Sequence, residues 1–314
     1  MGKDKPVLTT VSPPWHSMAV VGTLLALSIS NMPTLDSIDK IATVDTFTKR
    51  LFPGLVTLRT LGVIRLLIAI SIWITLLYMM ASPTGWDLNT NYRPQSKLKN
   101  TCINMSGFKT LCPFTSWCWI LLGLYFSFGA VLALMVDSNQ EHLIQPWMLR
   151  LAFILWELAA PFALLVSAVV RYAIWPVVLA GGKPHTLDHP RNQMMHNMNS
   201  VFSLSEAALL GGLPIHENHW VFPVILGVIY ITFSWNGIYF YRPKEDGPQF
   251  IYWFLDVTLG KTTTIALIAL VLVLITSFGI FIGVGNFLDY VGGGVFAHAI
   301  IIILISSMVC RVRA

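Results

Sequence analysis

Long apolar runs constrain this chain more than any other feature of its sequence. An α-helix needs roughly 20 mostly apolar residues to cross the hydrocarbon core of a membrane. Seven segments approach that length: 59–81, 115–136, 147–171, 194–211, 220–241, 262–284 and 294–310. Only 11% of the 314 residues are charged, whereas a soluble domain has roughly 25%. We therefore predict an all-α, polytopic transmembrane helix bundle with about six or seven spans, which occupies residues 59–310.

The residues before the first long run form a separate N-terminal leader, 1–58. Its apolar stretch 18–30 is shorter than an ordinary span. An interfacial helix, a half-inserted helix, a signal-peptide core and a core helix are the alternatives for such a length. The flanking residues offer no small-residue cleavage site, which disfavours a cleaved signal peptide. At the other end, residues 311–314 form a short basic tail.

Basic residues are distributed very unevenly among the predicted loops. Lys and Arg are concentrated in 82–113, 172–193, 242–261 and the tail, and they are absent from 137–146, 212–219 and 285–293. Because cytoplasmic loops are enriched in Lys and Arg, we predict that 82–113, 172–193 and 242–261 are cytosolic. Lys40, Lys49 and Arg50 of the leader do not fit this pattern, so the N-terminal topology stays open. The net charge of +5 has no accompanying nucleic-acid recognition motif, and we expect no nucleic-acid partner.

The fourth apolar run, 194–211, carries polar side chains on one face. His196, Asn199, Ser203 and Glu206 recur at helical spacing and fall within about 80° of arc. Polar groups inside spans are costly and usually face the interior of the bundle. They either hydrogen-bond to one another and fix helix packing, or form a membrane-embedded site in which an acid, a histidine and a nucleophile cooperate.

Other spans add members to this polar seam. Glu157 and Asn236 lie in the third and fifth apolar runs, and Thr115 opens the second. Thr115 and His196 both follow loops of the basic set, so we expect them at the same membrane depth. Thr115 is therefore a candidate catalytic nucleophile with His196 as its base. The alternative is a structural role for Thr115, because threonine is a favoured N-cap before an apolar helix.

The histidine spacing raises the question of a metal site. His185 and His189 precede His196, while His216 and His219 follow it. Membrane di-iron oxidases use several such histidine pairs, but the predicted topology separates the last two histidines from the first three. We therefore predict no metal and no cofactor, and expect His216 and His219 at the membrane interface.

Four stretches follow one another in a recognisable order: PFTSWCWILLGLYF, HNMNSVFSLSE, PVILGVIYITFSW and GPQFIYWFLD. In this order they resemble the rolling stone-like membrane proteins, which are related to the androgen-induced, FAR-17a-like integral membrane hydrolases. The resemblance covers roughly residues 59–284. It implies a multi-span helical fold, in agreement with the apolar runs.

The resemblance also implies roles for individual residues. The hydrolase branch consists of threonine hydrolases of lipid esters, including fatty acid esters of hydroxy fatty acids, and its nucleophile corresponds to Thr115. Its catalytic base is the second histidine of a His-x-x-His pattern, which here reads His196-Asn197-Met198-Asn199. Asn199 thus occupies the catalytic position, and an amide cannot act as a general base at neutral pH.

The asparagine at position 199 allows two interpretations. Either His196 takes over proton transfer in a lipid-ester hydrolase, or the chain belongs to the rolling stone-like side, for which structural, adaptor or cell-fusion roles are implied. We slightly favour the second, because the asparagine form is typical of that side. A transporter is a further alternative, disfavoured because the sequence has no internal repeat. The expected partners are the lipid bilayer, membrane proteins and, for a hydrolase, a lipid ester.

Overall fold

The computed structural model describes Leu8, Thr10–Ala180, His189–Gly292 and Gly294–Arg311. His185, which entered the argument about a metal site, and most of the basic tail lie outside the described residues. Within them the chain is helical, as predicted, apart from one small sheet. The helices are α1 Trp15–Ser30, α2 Leu35–Asp39, α3 Val44–Thr48, α4 Leu58–Ala81, α5 Phe114–Asp137, α6 Pro146–Val169, α7 Trp175–Ala180, α8 Pro190–Gln193, α9 Asn199–Ala208, α10 Val221–Asn236, α11 Lys261–Val291 and α12 Val295–Val309.

Two π-helical turns join neighbouring helices. The turn Val170–Ile174 links α6 to α7, so that Pro146–Ala180 is one continuous rod. The turn Met194–Met198 links α8 to α9. We call the continuous segment Pro190–Ala208 the seam helix, because it carries the polar stripe.

Five helices in the described part of the chain are long and apolar enough to cross a membrane: Leu58–Ala81, Phe114–Asp137, Pro146–Ala180, Glu217–Asn236 and Lys261–Leu288. They correspond to five of the seven predicted spans. The other two, 194–211 and 294–310, are helical but are not among the five, so the expected six or seven spans are not confirmed. The seam helix is rich in polar residues, and α12 has only 15 residues.

The loop 82–113 contains an element that the all-α prediction missed. β1 (Trp86–Asn89) pairs antiparallel with β2 (Cys102–Met105), and Trp86 lies opposite Met105. Alternate side chains of β2 are buried because Ile103 and Met105 pack against Tyr241, which comes from the distant loop after α10. The two loops are thereby held together.

The chain divides into two compact units. Unit 1 comprises Met1–Asn31, Leu77–Phe114 and Val224–Val273, and unit 2 comprises Met32–Leu76, Thr115–Pro223 and Leu274–Ala314. In unit 2 the rod Pro146–Ala180 is central, since 78% of its most apolar window is buried. Large aromatic side chains fill the surrounding core, among them Trp119, Tyr125, Phe126, Phe153 and Trp156.

Candidate functional site

The seam helix begins at a proline and contains a π-helical turn before its buried polar stripe. Pro190 occupies the first turn, and the His189 ring nitrogen Nδ1 accepts a hydrogen bond from the Arg191 amide (3.3 Å). The π-helical turn then includes His196, which is only half-buried. A π turn holds more residues than an α turn, so His196 is displaced from the regular spacing of the stripe.

The remaining stripe residues face inward, as predicted. Asn199, Ser203 and Glu206 are all buried, and so is Ser200 beside them. In unit 2 the Glu206 carboxylate and the Asn199 amide each have their own group of hydrogen-bond partners. Ser203 differs, because its hydroxyl has no hydrogen-bond partner among the described residues.

A buried ion pair engages the carboxylate of Glu206. Arg65 of α4 binds it with two nitrogens, Nη2 to Oε1 and Nε to Oε2 (3.2 Å), and both side chains are fully buried. The remaining Arg65 nitrogen donates to the carbonyl oxygens of Phe47 (2.7 Å) and Gly129 (3.2 Å). This two-pronged geometry and the additional acceptors offset the cost of removing both charges from water.

Gly211 allows the ion pair to form at the end of the seam helix. A Cβ atom at this position would overlap Nη2 of Arg65 and lie 2.5 Å from Oε1 of Glu206. The absence of a side chain is therefore required by close approach of the backbone, a recognised role of glycine.

The amide of Asn199 is used in a second group of contacts. Its Oδ1 atom accepts hydrogen bonds from the Ser167 hydroxyl (3.0 Å) and the Ser200 amide (2.7 Å). Ser167 Oγ also lies within hydrogen-bond distance of the His196 carbonyl oxygen and of Ser200 Oγ (2.7 Å). Ser200 in turn donates to the Ala163 carbonyl oxygen (2.9 Å). These contacts fasten the start of α9 to α6.

Glu157 belongs to a third group, on a different part of α6. Its Oε1 atom accepts a hydrogen bond from the His216 amide (3.0 Å), and Oε2 lies 2.7 Å from Nδ1 of His219. His219 is buried in the protein, at the start of the candidate span Glu217–Asn236, and its position at the membrane interface stays a prediction. Burial, and to a lesser degree the neighbouring His219, lower the pKa of the His216 imidazole below its ordinary value.

The histidines do not converge on a metal site within the described residues. His189 caps the seam helix, and His219 is in direct contact with Glu157. In the described ranges no group of three or more His, Cys, Asp and Glu side chains is arranged to hold a metal ion. His185 lies outside those ranges.

Thr115 and His196 lie in the same unit but are not joined. Thr115 is the second residue of α5 and 9% exposed, so it sits inside the first turn and is not the N-cap. No hydrogen bond or ion pair links its hydroxyl to His196 in the described part of the chain. The helix α5 and the seam helix are in contact farther along the chain, where Trp119 stacks on Phe202 with ring centroids 6.4 Å apart.

Asn236 does not belong to the seam. It is exposed at the end of α10, and its amide donates to the Thr232 carbonyl oxygen of its own helix (2.8 Å). The expectation that it faces the bundle interior is therefore wrong.

The sequence analysis did not predict the partners of the two carboxylates, the Arg65 guanidinium group and the His219 imidazole. Arg65 stands alone in the middle of an apolar run, which is the signal that could have led to Glu206. The chemistry that these arrangements support is charge neutralisation and helix fastening, since each carboxylate already has a cationic or imidazole partner. Comparison of the chain with protein-family models, curated proteins and solved structures finds no match in any of the three.

Proposed function

We propose that this chain is a multi-span integral membrane protein of the rolling stone-like type with a structural, adaptor or fusion-related role. In this proposal the stripe of the seam helix holds the bundle together and performs no catalysis. One observation carries it: the Glu206 carboxylate is already bound by Arg65, and the side-chain oxygen of Asn199 by Ser167 and Ser200. Asn199 also stands where the related hydrolases have their working histidine.

The connectivity supports a membrane crossing by the seam helix. Loops 82–113 and 242–261 pack together, since Tyr92 and Phe250 exchange hydrogen bonds (2.7 and 3.1 Å). In the proposed topology they therefore share one side of the membrane. From that side α5 would cross to the opposite side, and the rod Pro146–Ala180 would cross back. The helix Glu217–Asn236 ends at loop 242–261, so it must start on the opposite side. The chain between them must then cross once, and the seam helix is the segment available.

Contacts of α12 support a further crossing. At its start, Nδ1 of His298 lies within hydrogen-bond distance of the Ala208 carbonyl oxygen, at the end of the seam helix. Just after its end, the Arg311 amide donates to Oδ1 of Asn197 (3.1 Å), near the start of the seam helix. Because α12 runs antiparallel to the seam helix along its length, we propose seven crossings from α4 to α12. The basic loops would face the cytosol.

A lipid-ester hydrolase that uses Thr115 and His196 is the second candidate. In the proposed topology both residues lie at the same side of the membrane, and Trp119 and Phe202 bring their helices into contact. Catalysis would require the Thr115 hydroxyl to come within hydrogen-bond reach of the imidazole.

An alkyl fluorophosphonate probe separates the two candidates. The protein is treated in lipid nanodiscs, and mass spectrometry locates any adduct in the wild type, Thr115→Ala and His196→Ala. We expect no adduct on Thr115, and copurification of membrane partners with the wild type. An adduct on Thr115 that is lost in His196→Ala would overturn the structural proposal. Thr101→Ala, which removes a hydroxyl from loop 82–113, is the matched control.

A further inference from the structure

The first helix, α1, has its polarity inverted relative to a helix of a soluble protein. Its buried residues in the described structure are Ser17 and Ser28, whereas Met18, Leu27 and Ile29 are 51%, 50% and 61% exposed. The stretch 18–30 has no charged residue. A helix that turns serines inward and aliphatic side chains outward is unfavourable in water and suited to surrounding hydrocarbon.

Hydrogen bonds fasten the start of α1 to the start of α11 within unit 1. Nδ1 of His16 lies 2.5 Å from the Thr264 hydroxyl oxygen, and the Ser17 hydroxyl lies 2.7 Å from the same atom. Thr264 is in the first turn of α11, directly after loop 242–260. His16 is therefore at the side of the membrane that loop 242–260 occupies.

The chain after α1 must reach the other side. The helix α4 is a candidate span that ends at Ala81, immediately before loop 82–113. Loop 82–113 packs against loop 242–260, where the Ser96 hydroxyl donates to Asp256. The start of α4, Leu58, is consequently on the opposite side from His16. The helices α2 and α3 have five residues each, about 7 Å, so α1 is the segment able to connect the two sides.

We propose that α1 crosses the membrane and that lipid acyl chains cover its apolar surface. The inference rests on the crossing of α4 and α11 in the proposed topology. The helix α11 also has exposed aliphatic side chains, Ile265, Ile268 and Leu272, which are spaced to share one helix face. Trp15 at the start of α1 is largely exposed, as suits an aromatic residue at a membrane–water interface.

The length of α1 adds a consequence for the bilayer. Its 16 residues span about 24 Å, compared with a hydrocarbon thickness of about 30 Å. A short span is accommodated by local thinning of the bilayer. The segment 31–57 emerges on the side opposite the basic loops, so Lys40, Lys49 and Arg50 are exceptions to the positive-inside pattern.

A sidedness experiment tests the crossing. Single cysteines are placed at Thr10 or Leu55, or retained at Cys102, in an otherwise cysteine-free full-length protein in sealed vesicles, because all three positions are exposed. A membrane-impermeant maleimide should modify Thr10→Cys and Cys102 from one side and Leu55→Cys from the other. If Thr10→Cys and Leu55→Cys react from the same side, α1 does not cross. If Leu55→Cys and Cys102 share a side, it is α4 that does not cross, and both this inference and the proposed topology fail.

A spin-label experiment tests what covers the helix. Nitroxides at Leu27→Cys and at its buried neighbour Ser28→Cys form a matched pair in nanodiscs that contain phosphatidylcholine. For lipid contact, the label at 27 collides frequently with oxygen and rarely with a water-soluble nickel chelate, and the label at 28 collides rarely with both. Frequent collisions with nickel at 27 would show an aqueous surface, and dipolar broadening at 27 would show a second copy of the chain. Either result overturns the proposal.

Discussion

The seam helix of unit 2 and α1 of unit 1 both bury polar side chains, but by different means. The seam helix buries a carboxylate and an amide, whose partners include a guanidinium group. In α1 the buried groups are neutral serine hydroxyls, while its aliphatic side chains are exposed. A buried charge that loses its partner is far more costly than a lost hydroxyl contact. The seam helix should therefore be the more sensitive of the two to substitution.

The largest effect is expected for the ion pair of the seam helix. Arg65→Met leaves the Glu206 carboxylate buried without a cation, which should lower the free energy of unfolding by about 3–5 kcal/mol. The measurement is an unfolding equilibrium in bicelles. Arg65→Met combined with Glu206→Met removes both charges and should recover most of the loss. If the single variant is as stable as the wild type, the ion pair does not secure the helix.

A smaller loss of stability is expected when an added methyl group crowds the ion pair. Gly211→Ala places a methyl group against Arg65 and Glu206, and such overpacking should cost about 1–3 kcal/mol of unfolding free energy. Gly279→Ala in α11 is the control, because a Cβ there meets nothing within 4 Å. Equal stabilities of the two variants would argue against the close approach at Gly211.

A substitution that removes a buried hydroxyl group of α1 should lower the free energy of unfolding by still less. Ser17→Ala removes the hydroxyl contact with Thr264, and interhelical hydrogen bonds in membranes average about 0.6 kcal/mol. The same unfolding equilibrium measures the change. A loss as large as that of Arg65→Met would remove the difference between the two helices.

The smallest effect concerns an ion pair outside the core. Asp39 is bound by Arg150, with Nη2 to Oδ2 at 2.6 Å, and its hydrogen bond to Arg150 lowers the pKa of the Asp39 carboxyl. The contribution of this pair is therefore complete above the ordinary aspartate pKa and is lost as the pH falls through the lowered value. Asp39→Asn should lower the thermal midpoint slightly at pH 7, and the difference from the wild type should shrink as the pH falls below the ordinary aspartate pKa. A difference that grows on acidification would reverse the sign of this account.

Local patterns in the sequence predicted the long helices, because a run of about 20 apolar residues leaves the backbone no alternative in lipid. The inward orientation of Asn199, Ser203 and Glu206 followed from helical spacing. The pairing of Glu206 with Arg65 did not, because these residues are 141 positions apart and their contact depends on tertiary packing. The π turn at His196 also escaped prediction, since regular 100° spacing was assumed through it.

The most direct test of the central claim, that protein side chains seal the polar stripe, is the reactivity of a thiol at Ser203. Ser203→Cys is introduced into a background without the four natural cysteines, and its rate of reaction with N-ethylmaleimide is measured in nanodiscs. A separate variant that keeps Cys102 as its single cysteine, exposed in loop 82–113, is the positive control. We expect no reaction at position 203 in the native protein and rapid reaction after denaturation in detergent. Rapid reaction in the native state would show that water reaches the stripe, as a hydrolase site requires, and would contradict the account.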